Sequence, residues 1–343
     1  MALSSIFKLR KEITPEILDL LTQTTLGTNG AMYRHLDTPT RILEADNPLF
    51  LSMERHEKVI GNITFCQRGY AWYIRYFAFH SLVQAGTTKK KEDKGNSFLK
   101  RELNQFFSEV FEGKHSDQPI DSMYAYIDPR NDRSKWMSEN FGFNVVSHLT
   151  TQSYSRLYPK KSKRLVKLAD WKQVEPIVKE KYDNNAYYFT THAQKAPFYC
   201  LQNDSGEIIA TCRVTRVNWK IIRLPGKFGA ILTKVIPSIP FLNKLIQPKR
   251  HTFLVPEIVT AKSNDPKLID ELFSAVLAEE KLNLLLWWID QKDELYTSIS
   301  KRISWGLFHQ LVGAHPVDVV EKRNPTSQFE TKSPVFVTAF DMV

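Results

Sequence analysis

One stretch narrows the folds open to this chain more than any other. Residues 70–82, YAWYIRYFAFHSL, are rich in aromatic and β-branched residues and predict a long central strand. A lysine-heavy tract follows, and then KGNSFLKRELNQFF, in which one glycine precedes apolar residues at helical spacing. Phe98, Leu99, Leu103, Phe106, Phe107, Val110 and Phe111 share a face, with Lys100, Arg101, Glu102 and Glu109 between them. A strand that runs through a basic loop into an amphipathic helix predicts a mixed α/β fold.

The flanking segments extend that pattern. TPEILDLLTQT carries Thr14 as an N-cap, Pro15 at the first helical position and Glu16 in the first turn, which predicts a helix. LFLSMER and VIGNITFC, separated by HEK, read as a hairpin, and SMYAYIDPRN as a strand and turn. RSKWMSEN reads as a short helix and GFNVVSHLTTQSYSRLY as one or two closing strands. At 343 residues the chain exceeds the size of one hydrophobic core, so two domains are expected. The basic, proline-initiated tract PKKSKRL at 159–165 sets the expected boundary between domains at 1–158 and 166–343. Beyond it the order repeats in outline. DWKQVEPIVKEKY is a helix; PFYCLQND and EIIATCRVTRV flank a Ser205-Gly206 turn; TFLVPEIVTA is a long strand. NDPKLIDELFSAVLAEEKL is a capped helix, NLLLWWID a buried strand, and PVFVTAF a last strand.

Composition limits the partners. Lys and Arg number 47 against 37 Asp and Glu, a formal charge of +10, so the averaged field attracts anions: nucleic acid, anionic lipid or a polyphosphate. Cys66, Cys200 and Cys212 are too few and scattered for a disulfide framework, in keeping with a reducing cytoplasm. The first residues lack the apolar core of a secretion signal, and FGAILTKVIPSIPFLNKLI is interrupted by Lys234, Pro237, Pro240 and Lys244, so no spanning helix is expected. The expected location is cytoplasmic, with peripheral contact at the inner membrane surface as an option. Histidines without a metal-ligand pair and the lack of a Gly-X-Ser-X-Gly elbow argue against metalloenzyme and hydrolase chemistry.

A pyrophosphate is held by converging backbone N–H groups at a helix start, with small residues that let the backbone approach. Gly95, Asn96 and Ser97 ahead of Phe98 supply that arrangement, and Lys91 and Lys94 add charge. The alternative is a charged loop with an ordinary N-cap.

Three blocks of the first half resemble the GNAT superfamily of N-acyltransferases, which move an acyl group from acyl-coenzyme A to an amine. IRYFAFH resembles the strand beside which the pantetheine arm lies; KGNSFLKRELNQFF resembles the pyrophosphate loop and its helix. YIDPRNDRSKWMSENFGF resembles the strand, asparagine-led helix and closing Gly-Phe, with Asn131, Gly142 and Phe143 at the matching positions. The resemblance implies acetyl-CoA or another acyl-CoA as donor and no metal. It implies two GNAT-like domains, each a central, mostly antiparallel twisted sheet flanked by helices, the second degenerate. Phe79, His80, Lys91, Lys94, Gly95, Asn96, Ser97 and Asn131 are the implied coenzyme contacts. The chain departs from the pattern at Ser97, at Glu92 in place of a basic or amide residue, and at Ser138 in place of the tyrosine that many members use as acid.

Amine acylation needs a proton acceptor near the thioester. His80 at the strand end is the first candidate and Glu54, at the end of the second predicted strand, the next. Structural readings stand beside both: a strand-end histidine bonded to a carbonyl, and a solvated turn carboxylate. In the second half Asp265 and Pro266 open the helix that follows the corresponding strand, where a carboxylate repels phosphate and proline removes a donor, so coenzyme is not expected there. Residues 219–250 join basic and apolar residues without one acid, which suits an anionic membrane surface, a lipid-like amine acceptor, or a packed insertion with solvated lysines. Two rival functions remain open at this level: a Fem-type aminoacyl-tRNA-dependent transferase that binds tRNA, and a non-enzymatic acyl-CoA-binding or membrane-associated protein.

Overall fold

The computed structural model describes residues 6–27, 30–79, 98–116, 119–224, 226, 228–331 and 334–342. Its strands are β1 (Phe7–Arg10), β2 (Met32–His35), β3 (Pro48–Arg55), β4 (Lys58–Arg68), β5 (Ala71–Phe79), β6 (Ser122–Ile127) and β7 (Asn144–Ser155). They continue with β8 (Leu165–Leu168), β9 (Phe198–Gln202), β10 (Ile208–Arg223), β11 (His251–Ala261), β12 (Leu284–Asp290) and β13 (His315–Arg323). The chain forms two compact units. Unit 1 takes Met1–Leu26, Thr38–Val146 and Val319–Glu330; unit 2 takes Gly27–Asp37, Ser147–Asp318 and Thr331–Val343.

Unit 1 is a sheet in the order β1-β3-β4-β5-β6, followed by the 319–323 part of β13. β3 and β4 form the expected hairpin, with Arg55 opposite Lys58. His56 and Glu57 between them both have left-handed φ, 49° and 62°, the geometry that matches the twist of a two-residue hairpin. One face carries the helix Phe98–Phe111, whose Leu103, Phe106, Phe107 and Val110 bury against Leu51, Phe65 and Trp72. Each such side chain contributes about 1.5–3 kcal/mol of transfer free energy. The other face carries the helix Pro15–Gln23, capped by Thr14, with Ile17 and Leu21 against Phe50, Tyr76 and Ala78.

Unit 2 follows the order β7-β12-β11-β10-β9-β8. Its helix Pro266–Glu280 buries Ile269, Leu272, Phe273 and Val276 against Trp287 and Tyr154. The helix Glu175–Tyr182 accommodates Pro176 in its first turn, where a missing N–H costs nothing. Residues 159–165 lie inside this unit.

Three features of the fold were not expected from sequence. Each unit is completed by a strand from the other half of the chain: Tyr154 of β7 sits in the core of unit 2, and Val320 of β13 in that of unit 1. Second, β9 pairs with only the first part of β10, and the short β2 covers the same edge further on, with Trp219 opposite His35. Tyr33 stacks on Trp219 at 3.8 Å, and Asp37 accepts the N–H of Asn218 at 2.7 Å. Third, PVFVTAF is not a strand. Val335 makes a single bridge to Ala186, and a 3-10 turn follows at Ala339–Met342. Phe336 N donates to Ala186 O in that bridge, and two further N–H groups go to buried carboxylates: Val335 donates to Asp290 Oδ2 at 2.8 Å and Ala339 to Glu257 Oε2 at 3.0 Å.

Candidate functional site

The expected central strand is β5, and the place where it parts from β6 is the candidate site. The two run parallel but are registered only at Ala71–Ser122, Trp72–Met123 and Tyr73–Tyr124. Beyond Tyr73, residues 74–79 stay paired to β4 alone of these two neighbours. The cause is local. Phe65 opposes Ile74 while Thr64 opposes Tyr76, so Arg75 is an extra residue, a bulge that bends and twists β5 where the partners separate. Backbone donors and acceptors that leave a ladder must find other partners, and an extended amide-bearing chain laid between the strands meets that need.

The parting point is held by a buried polar knot. Arg68, 4% exposed, pairs with Asp46 at 3.0 Å and donates to the Tyr124 hydroxyl at 2.9 Å, with its guanidinium 5.0 Å from the Tyr73 ring centre. Tyr73 stacks on Tyr124, and Tyr126 abuts both. A buried cation of this kind holds position because losing its partner would strand the charge.

The helix from Phe98 begins where the periodicity placed it, with no acid in its first turn. Lys100 and Arg101 follow, Arg101 lying 5.5 Å from the Phe98 ring centre, so the first turn carries positive charge and no carboxylate. His80, Lys91, Lys94, Gly95, Asn96 and Ser97 lie outside the described residues. Asn131 caps the helix Asp132–Asn140: its Oδ1 accepts from Ser134 N at 3.2 Å. Gly142, at φ 77°, closes that helix in a Schellman arrangement, Phe143 N donating to Ser138 O and Gly142 N to Glu139 O. The Asn-to-Gly-Phe block is thus a fully capped helix. Ser138 donates its hydroxyl to Lys135 O at 2.8 Å.

Glu54 is placed otherwise than a free base would be. Lys8 contacts its carboxylate at 2.5 Å, Arg10 at 2.6 Å, and Ser52 donates at 3.2 Å. Burial pushes its pKa up, but the hydrogen bonds and charges of Lys8 and Arg10 outweigh this and hold the carboxyl below its ordinary range. A carboxylate so held is a weak proton acceptor. Phe79 ends β5 opposite Gly61, where its ring fills the space a Cβ would need: that atom would lie 2.5 Å from Phe79 Cδ1.

The structure also draws in residues that sequence reasoning missed. Strict alternation from Tyr73 puts Tyr76 on the face of the helix Phe98–Phe111; the bulge at Arg75 moves it to the opposite face, beside Ile17 and Phe50. There Asn62 Oδ1 is buried without a hydrogen-bond partner among the described residues, while Tyr76 is engaged by Arg75, whose guanidinium lies 5.0 Å from its ring centre. Such an orphan costs about 1–3 kcal/mol, which a polar ligand group or a water would offset.

Unit 2 repeats the plan. β11 and β12 are parallel and registered only at Leu254–Leu285, and a bulge in β11 lies between Glu257 and Thr260, with Ile258 at φ 48°. The helix between these strands starts differently, with Asp265 accepting from Lys267 N at 2.9 Å and Pro266 in the first turn. Past the registered pair, the 334–342 segment bonds to both strands, through Asp290 at the end of β12 and Glu257 of β11. Glu257, 1% exposed, is neutralised by Arg213, and Asp290 also accepts from Ser147 Oγ at 2.6 Å. Here the chain itself fills the space between the parted strands.

Three features of unit 1 would serve an elongated ligand bearing amides and phosphates: parallel strands that part, a first helical turn without a carboxylate, and the unpartnered Asn62 Oδ1 on β4. No protein-family model and no curated protein sequence matches the chain. Solved structures do. A GCN5-related N-acetyltransferase from Sphaerobacter thermophilus superposes with a TM-score of 0.52 at 12% identity, over 97% of this chain and 100% of that one. Saccharomyces cerevisiae N-myristoyltransferase with bound myristoyl-CoA gives 0.54 at 11%, over 94% and 84%. A tandem GNAT protein from the clavulanic acid biosynthesis pathway gives 0.53 at 9%, over 94% and 100%. With the bulged strand, helix and parting parallel strand present in each unit, the chain has the GNAT fold in tandem.

Proposed function

We propose that the chain is an acyl-CoA-dependent N-acyltransferase, with unit 1 holding the donor. The observation that carries this reading is the parting of β5 from β6 after Tyr73, just before a helix whose start bears Lys100 and Arg101. The N-myristoyltransferase with similar fold was solved with myristoyl-CoA bound, which supports a thioester donor, acetyl or longer. Acyl-CoA supplies a thioester carbonyl; the amine attacks it, the C–N bond forms, the amine proton passes to a base, the C–S bond breaks, and the leaving thiolate takes up that proton to give the free coenzyme A thiol.

The chain's own residues bind and orient. Residues 74–79 of β5 would take the amides of the pantetheine arm. Gly95, Asn96 and Ser97, with Lys91 and Lys94, are assigned by sequence to the pyrophosphate, and Asn131 to the coenzyme. Since Lys8 and Arg10 already hold Glu54 as a carboxylate, we assign the base to His80. The acceptor is a small-molecule or lipid-like amine. Asn62 offers it or its water a carbonyl oxygen.

Thermal unfolding in the presence of coenzyme A, acetyl-CoA, a long-chain acyl-CoA and tRNA tests the reading. At about a hundredfold excess over Kd an acyl-CoA should raise Tm by roughly 5 °C. Gly95→Trp should abolish that rise without lowering the Tm of the free protein. A rise with tRNA alone would instead support the aminoacyl-tRNA-dependent transferase. A second reading, acyl-CoA binding without turnover, is favoured by Ser138 at the acid's position. It predicts the same rise in Tm with no thiol released in the presence of amines.

A further inference from the structure

We infer that unit 2 carries a docking surface for an anionic lipid bilayer, formed by residues 222–244 together with the basic tract at 158–163. The inference is independent of acyl transfer in unit 1.

Large apolar side chains left in water are concentrated there. Of the thirteen with substantial exposure among the described residues, six fall between Ile222 and Phe241. Phe228, Ile231, Val235 and Ile239 are 38–50% exposed, and Phe241 reaches 61%. The segment is not loose. Leu232 and Ile246 anchor it in a buried cluster with Val217, Phe253 and Phe308, so apolar residues occupy its outer side as well as its inner one. A surface patch of this kind marks an interaction site, because a solvated insertion gains nothing from outward Ile, Val and Phe. Phe241 adds to this. It adopts φ 69°, a left-handed conformation costly for a bulky residue, while its ring stays in solvent.

Charge selects the partner. Residues 219–250 contain seven Lys and Arg and no acid. The fold then brings a second basic tract to the same place: Lys244 Nζ lies 5.4 Å from the ring centre of Tyr158, 68% exposed, and 6.0 Å from that of Phe241. Tyr158 leads into Lys160, Lys161 and Lys163, which line an open groove with Lys267 and Arg302. The acids of that groove are already engaged, Asp270 by Arg156 at 2.5 Å and Glu271 by Arg164. Apolar tips ringed by cations match a bilayer, where side chains enter the boundary below the headgroups and lysines stay among lipid phosphates. Nucleic acid would leave Ile231, Val235 and Ile239 without a counterpart, and a second copy would bring like charges together.

Co-sedimentation of the full chain with vesicles tests this, comparing phosphatidylcholine alone with phosphatidylcholine containing phosphatidylglycerol. We expect binding to the anionic vesicles only, weakening as salt rises. Phe241→Ala should weaken it about tenfold. Lys234→Gln and Lys244→Gln should each weaken it about fivefold, the equivalent of about 1 kcal/mol per basic residue. All three positions are exposed, so Tm should not move. Equal binding to both vesicle types, or binding unaffected by Phe241→Ala, would overturn the inference. So would heparin or tRNA binding with no anionic-vesicle binding, or a dimer in sedimentation velocity that Phe241→Ala disperses.

Discussion

The partings between parallel strands in the two units are built alike and flanked differently. In unit 1, β5 leaves β6 after Tyr73, and the following helix starts without an acid; in unit 2, β11 leaves β12 after one registered pair, and Asp265 and Pro266 start the helix. The 334–342 segment then joins Glu257 to Asp290 and buries Val335, Phe336, Phe340 and Met342. A bulged strand that parts from a parallel neighbour leaves ladder positions whose backbone groups other partners take up. Unit 2 meets the demand with its own backbone. In the proposed function, unit 1 meets it with a ligand's.

The largest test of this contrast removes the internal occupant. Phe336 is 3% exposed and packs edge-on against Tyr182 and Tyr188, so Phe336→Ala should cost unit 2 about 3–5 kcal/mol in urea unfolding. Protection of unit 1 amides in hydrogen exchange should change little. Loss of protection in both units would mean that the segment does not belong to unit 2 alone.

A second difference is electrostatic. His251, in the anchoring region of unit 2, is 3% exposed, and burial pushes its pKa down to about 4. The unfolded chain binds that proton near pH 6.5 and the folded chain does not, so stability is lost as pH falls from about 6.5 to about 4. The loss is on the order of 3 kcal/mol, and His251→Gln should flatten it in pH-dependent urea titrations. If the slope in this window is unchanged in the variant, His251 is not the group responsible.

The smallest effect belongs to unit 1. Glu54 has its pKa lowered, by the hydrogen bonds and charge of Lys8 and Arg10 acting against burial, so its contribution is present above the unfolded value near 4.5 and is lost as pH falls through the folded one. Glu54→Gln should lower stability slightly at neutral pH and not at all in strong acid. It should leave acyl transfer unchanged if His80 is the base; a loss of turnover with Tm unchanged would return Glu54 to the site.

Much of the fold was legible because its signals are local. Thr14 and Pro15, the apolar stripe from Phe98, Asn131 with Gly142, and Asp265 with Pro266 each act within one or two turns, and each element formed where expected. The candidate site was legible as far as its strand and helix. Tyr76 was not, because the face it occupies depends on Arg75 bulging against β4, a register between strands that residue order does not carry. Glu54 looked like a turn carboxylate because Lys8 and Arg10 lie more than forty residues away in the chain.

What the residues alone determined, then, was the sequence of capped helices and hairpins and the tandem plan they imply, since caps, turns and periodic faces are decided by neighbours three or four positions apart. Tertiary structure decided the pairings that close loops across the chain: β7 in unit 2, β13 in unit 1, β2 on the edge of β10, and PVFVTAF as a filling segment. A short apolar segment satisfies a ladder, a buried carboxylate or a core equally well, and only the open backbone positions presented by the rest of the fold select among them.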